Sequence, residues 1–384
     1  MSFLDKLTFF NKQEEAHALG IDIGSSAIKI VQLKKKNGQA VLETYGELSL
    51  GPYAGLTVGQ AAQLPTDKIS AAVADLMKEK EVNVTTRRCG LSIPFASSLM
   101  SVVEMPDVGT QKLASMVPLE ARKYIPVPIQ EVMLDWSVIP KSDTSNEEIP
   151  EFAPEMGSPI SSPVIEVEKT LKKVDVLIVA IHNDTIARYQ NIVAQAGLEA
   201  SFFEIEVFST MRSVLDEALR PVLVMDMGAA STKLYIVERG LVRTSHTVNR
   251  GAQDITAAIA QSLNITPERA EVMKRGAGLL GEDKRVAEVA SLVLDYVWSE
   301  VNSTLLSYEK RYNKPVAKVL MVGGGASLKG ILDLAKTNFK MNVELGLPFN
   351  KVSAPAFLEN ILHETGPEFA VAIGLALRKL AESE

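Results

Sequence analysis

Two aspartate–glycine turns, 204 residues apart, are the part of this sequence whose residue types suit a charged ligand. They lie in IDIGSSAIKIVQL (residues 21–33) and MDMGAASTKLYIV (residues 225–237). At this offset the matching pairs are Asp22 with Asp226, Gly24 with Gly228 and Lys29 with Lys233. A glycine lets a phosphate approach the backbone N–H groups of a tight turn, because no Cβ stands in the way. An aspartate can hold a hydrated Mg²⁺ that bridges phosphate oxygens.

The repeat also predicts an architecture. Each copy has the pattern of a strand, a tight turn and a second strand. One Asp-x-Gly after an apolar run is common in ordinary β-hairpins, whereas two copies in register over thirteen residues indicate two related halves. We therefore expect a nucleotide to bind between the two hairpins.

A third glycine-rich segment, Gly323–Gly325 followed by Ala326, comes directly after an apolar strand and before a predicted helix. In α/β sheets this position receives ligands, and a helix N-terminus presents free N–H groups to a phosphate or to the adenosine end of a nucleotide. A glycine-rich turn without a ligand is the alternative. The G-x-G-x-x-G at residues 276–281 follows a charged helical segment, so it lacks the strand that a dinucleotide motif requires.

The composition narrows the class of protein. The chain has 384 residues and a net charge of −7, which argues against general nucleic-acid binding. The only cysteine, Cys89, rules out an intrachain disulfide, and four scattered histidines offer no metal-ligand spacing. No uncharged apolar run approaches the ~20 residues of a membrane-spanning helix. We therefore expect a cytoplasmic protein.

The elements that position these residues follow from hydrophobic periodicity. After the first hairpin, strands are predicted at residues 39–48, 89–93, 99–104, 132–139, 174–181, 241–247 and 318–322. Helices are predicted at residues 66–79, 111–124, 184–195, 252–263, 284–312, 328–338 and 369–380. Residues 141–170 are acidic and rich in proline and serine. They predict a long flexible excursion, because few apolar groups offset the entropy of ordering them.

The motifs together resemble those of a known superfamily. Asp-x-Gly-Ser-Ser, the second Asp-x-Gly and the strand before Gly-Gly-Gly-Ala are similar to the phosphate-1, phosphate-2 and adenosine motifs of the actin/Hsp70/sugar-kinase superfamily. Residues 120–138, 268–276 and 369–378 more specifically resemble the PilM family of type IV pilus assembly proteins, related to the cell-division protein FtsA. The resemblance implies an α/β, two-lobed actin-like ATPase fold of the ribonuclease H-like type, with an inserted strand-helix-strand-strand subdomain.

The resemblance also implies a division into domains. The first actin-like lobe would comprise residues 1–94 and 186–219, together with the C-terminal helix 365–384. The inserted subdomain would comprise residues 95–185, including the flexible excursion. The second lobe would comprise residues 220–364, with a small subdomain at about 258–314.

Each motif would supply residues to a site for ATP and Mg²⁺. By resemblance these are Asp22, Gly24, Ser25, Ser26 and Lys29 in the first phosphate loop, Asp226, Gly228 and Ser231 in the second, and Gly323, Gly324, Gly325 and Ala326 at the adenosine. Asp22 and Asp226 would hold the metal through water. Glu271 and Lys274 would line the ribose and base, although residues three apart on a helix equally suit a surface ion pair. Glu206 is the candidate for positioning water, and a buried carboxylate at a strand end is the alternative.

The second hairpin departs from the superfamily pattern. It carries Ala229 and Ala230 where many relatives have glycine or a hydroxyl residue. One hydroxyl contact is thereby lost, and we expect at most a slow ATPase.

The family resemblance implies a cytoplasmic ATP-binding scaffold at the inner face of the inner membrane, within the pilus assembly complex. It would bind the N-terminal cytoplasmic tail of the inner-membrane protein PilN. The inserted subdomain has an apolar helix and no nucleotide motif, so we expect a groove between it and the first lobe to take this extended peptide. A subdomain that only buttresses the first lobe is the alternative. The protein would reach the membrane only through partners, and self-association stays open. An FtsA-type cell-division protein and a sugar or acetate kinase on the same fold are the alternatives.

Overall fold

The structure is a computed structural model that describes residues 16–139, 173–216 and 219–382. The predicted excursion at 141–170 lies outside these residues. The strands are β1 His17–Ile23, β2 Ala27–Lys36, β3 Gln39–Ser49, β4 Arg88–Ile93, β5 Ser98–Pro106, β6 Val132–Ile139, β7 Lys173–His182, β8 Glu199–Ile205, β9 Val222–Met227, β10 Thr232–Glu238, β11 Leu241–Val248, β12 Lys318–Val322 and β13 Val343–Leu345. The α-helices are α1 Thr66–Lys78, α2 Thr110–Ala121, α3 Asn183–Gln195, α4 Glu206–Val214, α5 Ala252–Leu263, α6 Pro267–Ala277, α7 Lys284–Tyr312, α8 Ile331–Phe339, α9 Glu359–Thr365 and α10 Ala370–Ala381.

Two five-stranded sheets are built in the same way. The first has the order β3-β2-β1-β4-β8, and the second has the order β11-β10-β9-β12-β13. In each sheet the first three strands along the chain form antiparallel hairpins, and the last two add in parallel. The repeated sequence motif therefore reflects a repeated sheet, with each Asp-x-Gly at the first turn of its sheet.

Apolar helices cover these sheets. The core at the first sheet joins Val31 and Leu33 of β2 to Ala372, Ile373 and Ala376 of α10. The core at the second sheet contains one face of α7. Its apolar residues recur at helical spacing, and the buried ones include Trp298 and Tyr308. The hydrophobic effect thus holds each hairpin against a helix, so that the turn at its end is presented in a fixed place.

Residues Leu99–Ile181 cluster into a compact unit separate from the rest of the described chain. Its sheet has the order β5-β7-β6, so β5 and β6 form the two edges. The apolar core contains Leu113, Val117 and Ala121 of α2 packed with Val176 and Ile178 of β7. A strand, a helix and two strands therefore follow one another in this unit.

The predicted element ends differ from the observed ones by up to three residues. The helix predicted from residue 328 begins at Ile331, because Gly324–Ser327 first forms a 3₁₀ turn and Gly330 has a φ of +86°. No element was predicted at residues 199–214, where the structure has β8 followed directly by α4. In the ranges that the structure covers, no helix has the length and apolar content of a membrane span.

Candidate functional site

Most residues predicted for a nucleotide site line one cleft. They are Asp22, Gly24, Ser25, Ser26, Lys29, Glu206, Asp226, Gly228, Glu271, Lys274, Gly323, Gly324 and Gly325. Ser231 and Ala326 do not line it. The Ser231 carbonyl accepts a hydrogen bond from Gly228 N–H within the second turn. Ala326 is buried in the apolar core of the second sheet. Both residues therefore support the walls of the cleft from behind.

The two aspartates occupy equivalent positions in the two sheets. Asp22 lies near the end of β1 opposite Lys29 of β2, and Asp226 lies near the end of β9 opposite Lys233 of β10. The hydroxyl of Ser92 donates a 2.8 Å hydrogen bond to Asp22 Oδ1. Burial raises the pKa of Asp22 above its ordinary value, although Lys29 and Ser92 act in the opposite direction. Two carboxylates from equivalent strand ends thus line the same cleft.

Lys233 lies between Asp226 of its own sheet and Glu206, which directly follows β8 of the other sheet. Its Nζ is 2.7 Å from Glu206 Oε2 and 3.3 Å from Asp226 Oδ2. Burial raises the pKa of Glu206, against the opposing effect of Lys233. Burial alone would lower the pKa of Lys233, but Asp226 and Glu206 together raise it above its ordinary value. The ammonium of Lys233 is therefore charged at neutral pH.

The glycines of the two turns shape the backbone in the same way. Gly24 N–H donates to the Ala27 carbonyl at 3.0 Å, and Gly228 N–H donates to the Ser231 carbonyl at 3.0 Å. Because each glycine amide closes its own turn, the amides that follow it are the candidates for binding a phosphate. Both turns line the cleft, as predicted from the sequence, but the amides of Gly24 and Gly228 already donate to carbonyl groups of their own turns.

Gly323 packs against the second turn. Its φ is +83°, and a Cβ there would lie 2.5 Å from Asp226 Oδ1 and 2.6 Å from the Met227 carbonyl oxygen. The position therefore admits glycine alone, both for its backbone conformation and for lack of space. This close approach brings the third glycine segment beside the second aspartate.

Glu271 and Lys274 form a buried pair, so the surface ion pair considered from the sequence is wrong. Their side chains are 7% and 9% exposed, and Lys274 Nζ is 2.7 Å from Glu271 Oε2. Thr256 of α5 donates to Glu271 Oε2 at 2.6 Å, and Arg275 Nε donates to Glu271 Oε1 at 2.6 Å. Burial would raise the pKa of Glu271, but its cationic partners and the Thr256 hydroxyl lower it. Burial lowers the pKa of Lys274.

Several cleft residues were missed from the sequence. Lys233 is the repeat partner of Lys29, so the repeat itself carried the signal that could have found it. Glu47 and Glu368 lie 3.7 Å and 3.8 Å from Lys29 Nζ. They come from β3 and from the turn before α10, where no local motif marks them.

The arrangement suits an anionic ligand with a hydrated cation. The cleft combines two aspartates, lysines from both hairpins and a glycine loop. In the described ranges, no three His, Cys, Asp or Glu side chains are grouped to hold a metal directly. A metal bound through the two aspartates would keep several of its waters, as Mg²⁺ commonly does.

Comparison with known proteins identifies similar chains. The sequence pattern of the family described as type IV pilus assembly protein PilM matches residues 20–152 and 163–380. A solved chain of a PilM-PilN type IV pilus biogenesis complex is 25% identical, with a TM-score of 0.75, and the similarity covers 95% of this chain and 99% of that chain. The cell division protein FtsA of Streptococcus pneumoniae is 22% identical over 376 residues, which cover 89% of this chain and 78% of the relative.

A more distant structure shares the fold alone. MreB 5 of Spiroplasma citri, solved bound to AMPPNP, has a TM-score of 0.51 at 10% identity, covering 96% of this chain and 97% of that chain. These similarities confirm the actin-like α/β fold predicted from the sequence. They also confirm the predicted relationship to FtsA.

Proposed function

Because this chain belongs to the PilM family of type IV pilus assembly proteins, we propose that it is an ATP-binding scaffold of the type IV pilus machinery. Its partner is the N-terminal cytoplasmic tail of the inner-membrane protein PilN. The similar solved chain comes from a PilM-PilN complex, which supports this partner. The chain works at the inner face of the inner membrane, which it reaches through PilN.

One observation carries the nucleotide part of the proposal: the repeated hairpins bring Asp22 and Asp226 to equivalent strand ends that line one cleft. Two carboxylates suit Mg²⁺, which uses one or two protein carboxylates together with substrate phosphates and waters. Bound Mg²⁺ would neutralise part of the charge of the phosphates. The positive φ of Gly323 and its tight packing on Asp226 keep the adjoining wall free of side chains. The residues present therefore suit ATP with Mg²⁺.

The other residues of the cleft orient the nucleotide. Glu271 and Lys274 are fixed by their own pair and by Thr256, so they offer a rigid polar wall to the ribose. Both sheets contribute residues to the cleft, and a ligand that contacts both would stabilise a closed arrangement of the two lobes. The proposed role of ATP is thus to set the lobe arrangement that a partner protein binds.

The hydrogen bonds of the Glu206 carboxylate suit a protein that binds ATP and hydrolyses it slowly. Its Oε1 accepts from Phe95 N–H at 2.6 Å, and its Oε2 accepts from Lys233 at 2.7 Å. A general base needs a free oxygen within hydrogen-bond reach of the attacking water. The Phe95 backbone holds one oxygen whether or not a ligand draws Lys233 away. Because Ala229 and Ala230 also offer no hydroxyl in the second turn, we propose that hydrolysis is slow.

The PilN tail is proposed to bind the unit Leu99–Ile181. Both edge strands of its sheet, β5 and β6, have backbone groups to which an extended peptide can add. Its exposed apolar side chains include Leu119, Tyr124 and Met133, which are 61%, 49% and 57% exposed. These side chains suit the apolar residues of such a peptide, and none of the unit's described residues lines the nucleotide cleft.

Two titrations test the function. In the first, ATP and ADP are titrated calorimetrically into the full chain with Mg²⁺ and again with EDTA. We expect ATP to bind more tightly with Mg²⁺, and no binding of either nucleotide would contradict the proposal.

In the second, a synthetic PilN N-terminal peptide is titrated into the full chain and into a version in which a short linker replaces residues 99–181. Circular dichroism and nucleotide binding check that the shortened chain folds. We expect the peptide to bind only the full chain, and binding that survives in a folded shortened chain would place the site elsewhere.

A further inference from the structure

Lys233 joins the two sheets of the cleft through one ammonium group. It lies on β10 of the second sheet, and its Nζ is 2.7 Å from Glu206 Oε2, at the residue that follows β8 of the first sheet. The same Nζ is 3.3 Å from Asp226 Oδ2 on its own sheet. The Lys233 side chain is 17% exposed and lines the cleft. A ligand in the cleft can therefore reach it.

Glu206 is held in place for this contact. Its second oxygen accepts a hydrogen bond from Phe95 N–H at 2.6 Å, and its side chain is 10% exposed. A charge-assisted hydrogen bond between an ammonium and an anion is stronger than a neutral one, and phosphate offers more negative charge than one carboxylate. A phosphate that enters the cleft therefore competes with Glu206 for the same donor.

We infer that Lys233 distinguishes ATP from ADP, because the terminal phosphate of ATP and the Glu206 carboxylate compete for its ammonium. The inference rests on the proposed nucleotide function and deepens it. ADP leaves the Lys233–Glu206 ion pair in place, so the protein itself links the two sheets. ATP takes Lys233 from Glu206, so the link between the sheets passes through the nucleotide. One side chain thus couples the number of phosphates to the contact between the sheets.

A double-mutant cycle read out by calorimetry tests this competition. Glu206→Gln removes the competing charge, and we expect ATP affinity to rise about tenfold while ADP affinity changes by less than about threefold. Lys233→Met removes the shared donor, and we expect ATP affinity to fall about tenfold with ADP again nearly unchanged. In the double variant, Glu206→Gln no longer raises ATP affinity, because no ammonium is left to release.

The matched control is a Lys–Glu pair of the same length outside the cleft. Lys318 Nζ is 2.7 Å from Glu344 Oε2, and neither residue lines the cleft. Lys318→Met and Glu344→Gln are expected to leave both nucleotide affinities unchanged. This control separates the specific competition from a general effect of removing one ion pair.

Three outcomes overturn the inference. The first is that Glu206→Gln raises ATP affinity by the same factor with and without Lys233. The second is that Lys233→Met lowers the affinities for ATP and ADP by the same factor. If Lys233→Met does not fold, Glu206→Gln alone decides, and no gain for ATP over ADP overturns the inference. If the wild-type chain binds neither nucleotide, the proposed function is contradicted as well. If the chain binds ATP but the effects of the two substitutions on ATP affinity are additive, only this inference is overturned.

Discussion

Lys29 and Lys233 stand at equivalent positions of the two hairpins, each in register with the aspartate of its own hairpin, yet they contact different carboxylates. Lys233 reaches Asp226 and Glu206, whereas Lys29 lies 3.7 Å from Glu47 and 3.8 Å from Glu368. The repeat therefore preserves the backbone of the two halves and changes the charge partners. This difference makes the two sides of the cleft chemically distinct, as an asymmetric ligand such as a nucleotide requires.

Asp22→Ala is expected to weaken ATP binding in the presence of Mg²⁺. Asp22 is partly buried and accepts a hydrogen bond from Ser92, and its loss would remove the proposed charge-assisted contact to a metal-bound water, at a cost of about 1–3 kcal/mol. Calorimetry with Mg-ATP measures the change, and Asp295→Ala, an exposed aspartate of α7 outside the cleft, is the control. Equal ATP affinity in the Asp22 variant and the wild type would remove Asp22 from the proposed site.

Gly323→Ala is expected to destabilise the fold by about 1–3 kcal/mol, the usual cost of a strained backbone conformation. A Cβ at this position would lie 2.5 Å from Asp226 Oδ1, and the φ of +83° is unfavourable for alanine. The free energy of unfolding in urea measures the loss. Gly276→Ala in the last turn of α6 is the matched control, because a Cβ there meets nothing within 4 Å and alanine is a better helix former than glycine. Equal stabilities for the two variants would show that the second turn moves to accommodate the methyl group.

The repeat made the hairpin turns of the cleft predictable, because a hairpin motif is local in sequence and its turn chemistry is short-range. Asp22, Asp226 and the glycine segments were found in this way. Glu47 and Glu368 were not, because long-range folding brings β3 and the turn before α10 to Lys29 without any shared motif.

Burial was equally hard to predict. The spacing of Glu271 and Lys274 also suits a solvated helix face. The pair is buried because α6 packs on α5, and the sequence spacing does not show this packing.

Glu271→Ala is expected to destabilise the protein strongly, by about 3–5 kcal/mol, because it leaves the Lys274 ammonium buried without its carboxylate. Chemical unfolding provides the measurement. Glu120 of α2 and Lys123, which follows the end of that helix, have the same three-residue spacing and a contact of 2.8 Å, with side chains 26% and 67% exposed. Glu120→Ala is therefore the control in a more solvated pair. We expect the control to change stability little, since solvent screens an exposed pair. A similar loss in both variants would argue against the buried contact.

Glu204→Gln tests a pH-dependent contribution to stability. Burial would raise the pKa of Glu204, but Arg212, Ser209 and Arg378 together hold it below its ordinary value of 4.5. A lowered pKa means that the carboxylate stabilises the folded state fully above about pH 4.5, and that this contribution is lost as the pH falls through the folded-state pKa.

The stability difference between the wild type and the Glu204→Gln variant should therefore be largest near neutral pH and shrink in acid. Urea unfolding at a series of pH values measures it, with Glu81→Gln, an exposed glutamate, as the control. A difference that stays constant down to acid pH would contradict the assigned ion pairs.

Leu119→Asp is expected to weaken binding of the PilN tail peptide by tenfold or more, on the order of 1–3 kcal/mol for a lost apolar contact of this size. Leu119 is 61% exposed on α2, so the fold does not need its side chain and the effect falls on the interface. Leu292, which is 72% exposed on α7 outside the unit Leu99–Ile181, gives the matched control Leu292→Asp. Fluorescence anisotropy of a labelled peptide measures both variants. A loss confined to Leu119→Asp supports the proposed surface, whereas unchanged affinity in that variant would direct the search to the edge strands β5 and β6.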